Sequence, residues 1–144
     1  MFSKACEYAI RAAILVATAS MENERCNVKV IAERTGSPEA FTAKTLQKLS
    51  HAGLIVSSKG PGGGFVMPPR LSRTVKLADI VKVIDGDALY TGCALGLPQC
   101  DERRPCPMHD HFLQVREDLR RMLQNTTVHD LATGLKEGSS FLVR

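Results

Sequence analysis

The sequence predicts a mainly α-helical fold carrying one small β-hairpin. Three observations predict it. Apolar residues recur at helical spacing through most of the chain, two of the helical stretches follow each other across a single glycine, and a glycine-rich reversal, "KGPGGG", separates two short apolar runs. With 144 residues the chain holds one ordinary core and is too short for two full-sized enzyme domains.

The elements follow in order. Ile10, Ala13, Ile14 and Ala17 share a helical face, which places an amphipathic helix over about residues 3–19. In "CNVKVIAERTGSPEAFTAKTLQKLSHAGLI", Asn27 is placed to cap a second helix that turns Val28, Ile31 and Ala32 inward and stops at Gly36. For the third helix, Ser37 is the expected cap and Pro38 the first helical residue. Phe41, Thr45, Leu46 and Leu49 form its apolar stripe, and Gly53 ends it.

Two helices joined by a short turn make a helix-turn-helix. Strands over 54–58 and 65–67, joined by the glycine-rich tip, add a basic hairpin directly after it, so the expected architecture is a winged helix-turn-helix. Leu77, Ile80, Val81 and Ile84 then describe a short helix ended by Gly86.

Beyond His109, the spacing of Phe112, Val115, Leu119, Met122 and Leu123 marks a long helix with Arg116, Arg120 and Arg121 outside the stripe. Thr127 and Asp130 are a capping pair for a last short helix. The chain thus divides into a winged helix-turn-helix unit over 1–84, a cysteine-rich loop over 85–109, and a long helix with a short one over 110–144. The long helix needs a partner for its stripe, and the same helix of a second copy is the expectation, because helix-turn-helix readers bind two half-sites as symmetric dimers.

Hydrophobic residues at 44% and charged residues at 24% belong to a soluble globular chain. No apolar run approaches the roughly 20 residues that span a bilayer. The first segment mixes Lys4, Glu7 and Arg11 into its apolar positions, unlike a signal peptide, so the cytoplasm is the expected compartment and a membrane is not an expected partner. The net charge of +4 is unevenly spread: residues 1–84 hold 12 Lys or Arg against 6 Asp or Glu, and residues 85–144 hold 7 against 9. The basic half suits a polyanion such as double-stranded DNA.

"CALGLPQCDERRPCPMH" places three of the five cysteines in a proline-broken stretch without helical or strand period. In a reducing compartment clustered cysteines are more often ligands than disulfides. Thiolates suit iron-sulfur clusters and zinc. Structural zinc draws on closely spaced pairs such as C-x-x-C, whereas six and five intervening residues here favour a wrap-around cluster. Arg103 and Arg104 lie where they can offset thiolate charge or serve solubility. Cys6 reads as a small buried hydrophobe, Cys26 as a thiol without an assigned role, and His111 and His129 as surface residues.

The ordered combination of helix-turn-helix, "KGPGGGF" wing, a short helix ending in "DG", a three-cysteine loop and a long C-terminal helix resembles the Rrf-type winged helix-turn-helix bacterial regulators, the group of IscR, NsrR and RirA. The resemblance covers nearly the whole chain and implies a DNA-binding transcription regulator, a repressor rather than an enzyme. It further implies an iron-sulfur cluster, 2Fe-2S or 4Fe-4S, that senses iron, nitric oxide, oxygen or redox state. Cys93, Cys100 and Cys106 are the implied cluster ligands. His109 is the implied fourth ligand of IscR-like members and Glu7 that of NsrR-like members, delivered across a homodimer; a helix-terminal surface histidine and a solvated helix charge are the plainer readings of the two. Where the family's wing often begins with arginine, this chain has Lys59.

For DNA, the amino end of the third helix offers Ser37, Glu39, Ala40, Thr42 and Lys44 to bases or nearby phosphates, with Thr45 partly in the apolar stripe. Lys48, Lys59, Arg70 and Arg73 read as phosphate contacts, joined by N–H groups of Gly60, Gly62, Gly63 and Gly64. Two rivals stand beside this reading: a small iron-sulfur redox protein, and a cluster-free regulator controlled by a protein partner.

Overall fold

The computed structural model describes residues 1–143 as eight helices and one two-stranded sheet. Helix α1 (Lys4–Met21) is capped by Ser3, whose hydroxyl oxygen accepts from the Cys6 N–H at 3.0 Å. The same Ser3 hydroxyl donates to Asp85, and the Ser3 N–H reaches the other Asp85 oxygen at 3.2 Å. Helix α2 (Val28–Thr35) starts where Asn27 accepts from the Val30 N–H at 2.9 Å, and it ends at Gly36, whose φ of 66° a side chain would resist.

Helix α3 (Glu39–His51) begins one residue later than the sequence suggests. Pro38 occupies the cap position without a side-chain cap, and Ser37 turns its hydroxyl to the Thr35 hydroxyl at 2.8 Å instead. The stripe also shifts. Leu46 and Leu49 are fully buried and Thr45 nearly so, but Phe41 lies 41% exposed while Thr42 takes the inward position.

Strands β1 (Val56–Ser58) and β2 (Gly64–Val66) pair antiparallel, with Val56 opposite Val66 and Ser58 opposite Gly64. They are shorter than expected because Leu54, Ile55 and Met67 leave the ladder, Ile55 and Met67 to enter the core. Cys26 extends the sheet: its N–H and C=O both bond Phe65, at 3.2 and 2.8 Å. Gly64 permits that approach, since a Cβ there would stand 2.7 Å from the Cys26 carbonyl oxygen.

Two short helices were not anticipated: α4 (Pro69–Ser72) after the wing and α6 (Ala88–Thr91) just before the cysteines. Between them lies α5 (Leu77–Asp85), with Ile80 and Val81 buried. Helix α7 (His109–Asn125) has two apolar faces rather than one. His109, Phe112, Arg116, Leu119 and Leu123 turn inward, whereas Leu113, Val115 and Met122 are about half exposed. Helix α8 (Val128–Lys136) returns onto α1, its Val128 N–H bonded to the Val75 carbonyl at 3.0 Å. All the larger helices but α7 pack against α1.

The reciprocal capping of α8 predicts a pH dependence. Hydrogen bonds from the Thr127 backbone, then from its hydroxyl, hold the Asp130 carboxyl below its ordinary value of 3.8. A depressed carboxyl pKa stabilises the fold above the ordinary value and loses that contribution as pH falls through the depressed one. Asp130→Ala is expected to lower the urea midpoint at pH 7, and the gap to the parent should narrow once the pH drops below about 3.8.

Candidate nucleic-acid interface and cysteine site

The helix-turn-helix is fixed from behind by α1. Arg11 donates to the Thr35 carbonyl at 2.8 Å and lies over the Tyr8 ring at 4.9 Å, and Tyr8 meets Phe41 edge-on at 5.6 Å. That contact explains why Phe41 leaves the core side of α3. Glu39, Ala40, Lys44 and Lys48 are exposed on the outer side of α3, and Ser37 is half-buried in the turn.

Thr42 is a correction. It is 1% exposed and its hydroxyl donates to the Pro38 carbonyl at 2.8 Å, so it closes the first turn of α3 and does not present itself to a duplex. Thr45 behaves alike toward the Phe41 carbonyl, at 2.8 Å.

At the wing tip, Lys59, Gly60 and Gly62 are exposed, and Gly63 and Gly64 are half-buried beneath them. The tip closes through the Gly63 N–H to the Gly60 carbonyl at 2.9 Å. A Cβ at Gly63 would stand 2.4 Å from the Ser58 carbonyl oxygen. Arg70 and Arg73 are exposed at α4. The sequence reading missed Arg25, whose guanidinium donates to the Ser58 hydroxyl just below the tip of the wing. The bridge from Cys26 to Phe65 brings it there, and no local spacing signals that.

The cysteine loop runs between α6 and α7. All five cysteines are free thiols, with Cys93, Cys100 and Cys106 half-buried and Cys6 and Cys26 buried. The loop is built from local turns: Gly96 N–H to Cys93 C=O at 3.0 Å, Arg103 N–H to the Asp101 carboxylate at 2.9 Å, and His109 N–H to Cys106 C=O at 3.0 Å. That last turn leads into α7 and sets His109 8% exposed, with its Nδ1 3.4 Å from the Cys100 sulfur. His109 is therefore no surface histidine. Glu7 is half-buried and pairs with Lys4 at 3.0 Å. His129, expected at the surface, is half-buried beside the Ser72 hydroxyl at 3.3 Å.

Arg103 and Arg104 are exposed, and Arg104 pairs with Asp101 at 3.7 Å. The cation that reaches a sulfur is Arg116. Its Nη2 donates to Cys100 Sγ at 3.3 Å, and its Nη1 to the Tyr90 and Gly92 carbonyls, each at 3.1 Å. The sequence reading set Arg116 outside the stripe, yet it follows His109 by two helical turns and so shares its face. Among the described residues no carboxylate pairs with it, and its buried Nε has no partner.

Backbone N–H groups of Leu97 and Leu95 lower the Cys93 thiol pKa, helped by the Cys106 thiol and Arg116 against some burial. Burial, with Asp85 beside it, pushes Cys6 up to about 12, and burial raises Cys26. Next to Cys93 a groove of about 480 Å³ opens between α6 and α7, lined by Leu89, Phe112, Val115 and Leu119. Among the described residues no three His, Cys, Asp or Glu side chains are grouped to hold a single metal ion.

The sequence model of the Rrf2 family, described as iron-dependent transcriptional regulator, matches residues 2–134. The chain belongs to the Rrf2 family. It is similar to the transcriptional repressor NsrR of Streptomyces coelicolor, 27% identical over 129 residues that cover 90% of this chain and 86% of that one. It is also similar to the transcriptional regulator IscR of Vibrio parahaemolyticus, 27% identical over 88% of this chain and 73% of that one. Among solved structures the fold matches CymR, the global cysteine regulator of B. subtilis, with a TM-score of 0.73 at 22% identity, covering 92% of this chain and 96% of that one. T. potens IscR matches equally, with a TM-score of 0.73 at 21% identity over 97% of this chain and 91% of that one. This Rrf2 protein is thus a transcription regulator with a winged-helix fold, and its relatives are regulators rather than enzymes. No helix among its described residues is long and apolar enough to cross a membrane.

The thiol environments set an order of reactivity. In metal-free protein, brief iodoacetamide treatment at pH 7.5 should label Cys93 first and leave Cys6 and Cys26 unlabelled until urea unfolds the chain. Peptide mass spectrometry reads the order, and early labelling of Cys6 would contradict its buried, protonated state.

Proposed function

We propose that this Rrf2 protein is a cytoplasmic, homodimeric, DNA-binding repressor whose operator affinity depends on an iron-sulfur cluster held by Cys93, Cys100 and Cys106. The observation that carries the reading is the Arg116 cation turned onto Cys100 without a carboxylate partner, beside a buried His109. A half-buried cation served only by carbonyls and a thiol is poorly compensated, and thiolates with bound sulfide would supply the missing negative charge.

The donor set fits such a group. Three half-buried soft ligands stand on one loop with backbone N–H groups directed at Cys93. His109 is the fourth ligand we favour, since it already stands against Cys100; Glu7 of a second copy is the competitor. When bound, a 2Fe-2S or 4Fe-4S cluster supplies a centre that responds to iron supply, oxygen or nitric oxide. The chain's own residues do the rest: the loop turns orient the thiols, and Arg116 balances their charge.

The exposed apolar residues of α7, Leu113, Val115 and Met122, suit burial against a second copy and would set two winged units for two half-sites. On each unit Lys44, Lys48, Lys59 and Arg70 would position the duplex through phosphates, with the Gly60 and Gly62 N–H groups adding to them. Ser37, Glu39 and Ala40 would stand nearest the base edges. An electron carrier has no need of this helix-turn-helix and wing.

Two experiments test the reading. Serine at Cys93, Cys100 or Cys106 should abolish the visible absorption of anaerobically prepared protein, with far-UV helicity kept; serine at Cys6 or Cys26 should leave it. Alanine at His109 or at Glu7 should make the cluster more labile to oxygen for whichever residue is the ligand. Full iron and sulfide in all three loop variants would sink the assignment, equal operator binding by colourless and coloured protein would show that affinity does not depend on the cluster, and protein that stays colourless after anaerobic preparation would favour the cluster-free reading.

For DNA, Lys59→Ala should weaken specific and random duplexes alike and reduce the salt slope by about 1. Thr42→Val should lower the urea midpoint while the ratio of specific to random affinity holds. A changed ratio would return Thr42 to the reading surface.

A further inference from the structure

The cysteine loop is held less by packing than by one side chain. None of residues 92–108 is buried; backbone turns join the two ends of the loop to α6 and α7, and His109 meets Cys100 from α7, but neither links the body of the loop to both helices at once. Arg116 does so. Through Nη1 it accepts the role of cap for α6, binding the Tyr90 and Gly92 carbonyls that end that helix, and Gly92 directly precedes Cys93. Through Nη2 it binds Cys100 on the far side of the loop. A planar guanidinium donates from two separated nitrogens in a fixed fork, so it reaches α6 and the far side of the loop at once, whereas a lysine ammonium donates from a single point. Arg120 reinforces the joint from the next turn by stacking over the Tyr90 ring at 4.3 Å.

We propose that Arg116 is the positioning residue of the cysteine loop: its three hydrogen bonds fasten the loop to α6 and α7 and keep Cys93 and Cys100 presented as ligands before any cluster arrives. The proposal rests on the loop being the ligand site, but its first readout needs no cluster. If Cys100 held a cluster, the same Nη2 would donate to a ligand sulfur, and donation to sulfur raises a cluster's reduction potential.

The test compares R116M and R116K with R121M, which changes an exposed arginine paired with Asp118. In full-length, metal-free protein under reductant, amide hydrogen exchange over residues 92–108 should accelerate about tenfold or more in R116M, while α1 amides and R121M stay at parental rates. R116K keeps charge and length but loses the fork, so it should accelerate the same amides to a lesser degree; it carries the measurement if R116M does not fold. In protein reconstituted anaerobically, R116M should shift the reduction potential to more negative values, with R116K restoring part of the shift. Parental exchange over the loop in both Arg116 variants would overturn the proposal. Accelerated loop exchange in a protein whose parent takes up no iron or sulfide would uphold Arg116 and sink the cluster reading instead.

Discussion

The fold depends on enclosing α1. Cys6, Ala9, Ala12, Ala13, Val16 and Ala17 are each 1% exposed or less, so this helix is covered on most of its circumference by α2, α3, α5 and α8. Small side chains make that enclosure feasible, because four neighbours approach one helix closely only where little projects from it. Larger residues on the same faces would push the neighbours off their seats, since a core filled to native density has no slack. Even the wing is referenced to this helix: the Ser20 hydroxyl, itself bonded to the Val16 carbonyl, accepts the Met67 N–H at 2.8 Å.

Both candidate regions are therefore anchored on one rigid element. At its start, Ser3 and Asp85 join α1 to the end of α5, from which Gly86 leads into α6 and the cysteines. Two turns further on, Arg11 holds the Thr35 carbonyl at the turn of the helix-turn-helix, and Tyr8 touches Phe41 on α3. The connection is contiguous and made of hydrogen bonds and packed rings. Such a connection carries a signal only where one end has two arrangements. The loop end, free of buried residues, is the end with freedom to rearrange.

What could be read from the sequence, and what could not, separates by the range of the interaction. The caps at Ser3, Asn27 and Thr127 and the stop at Gly36 act over a few residues, and the helices they bound are legible in the spacing of apolar side chains. Ser3 also does something no local spacing signals: beyond capping through the Cys6 N–H, it bonds Asp85, 82 positions away. Thr42 was misjudged because a threonine in the first helical turn can turn its hydroxyl back onto a carbonyl and bury its methyl, a choice that Tyr8 settles by drawing Phe41 outward. In α7 the apolar residues cover two faces, and spacing alone does not tell which one meets α5 and α6. The cysteines stood out by type; the arginine that serves them did not, because helical spacing puts Arg120 on the face of His109 as well as Arg116.

The charge around the loop decides what kind of occupant it suits. Arg104 is neutralised by Asp101 in solvent, whereas the half-buried Arg116 meets only two carbonyl dipoles and a sulfur. A cation so placed favours an occupant that leaves the site negative. A zinc ion and an oxidised 2Fe-2S or 4Fe-4S core each carry a double positive charge, so on the same three thiolates and a histidine either leaves the site negative. Either occupant would place that negative charge at the sulfur Arg116 already touches. Electrostatics and donor softness thus suit any anionic thiolate site, and it is the wide spacing of the cysteines, with six and five residues between them, that favours a cluster over zinc.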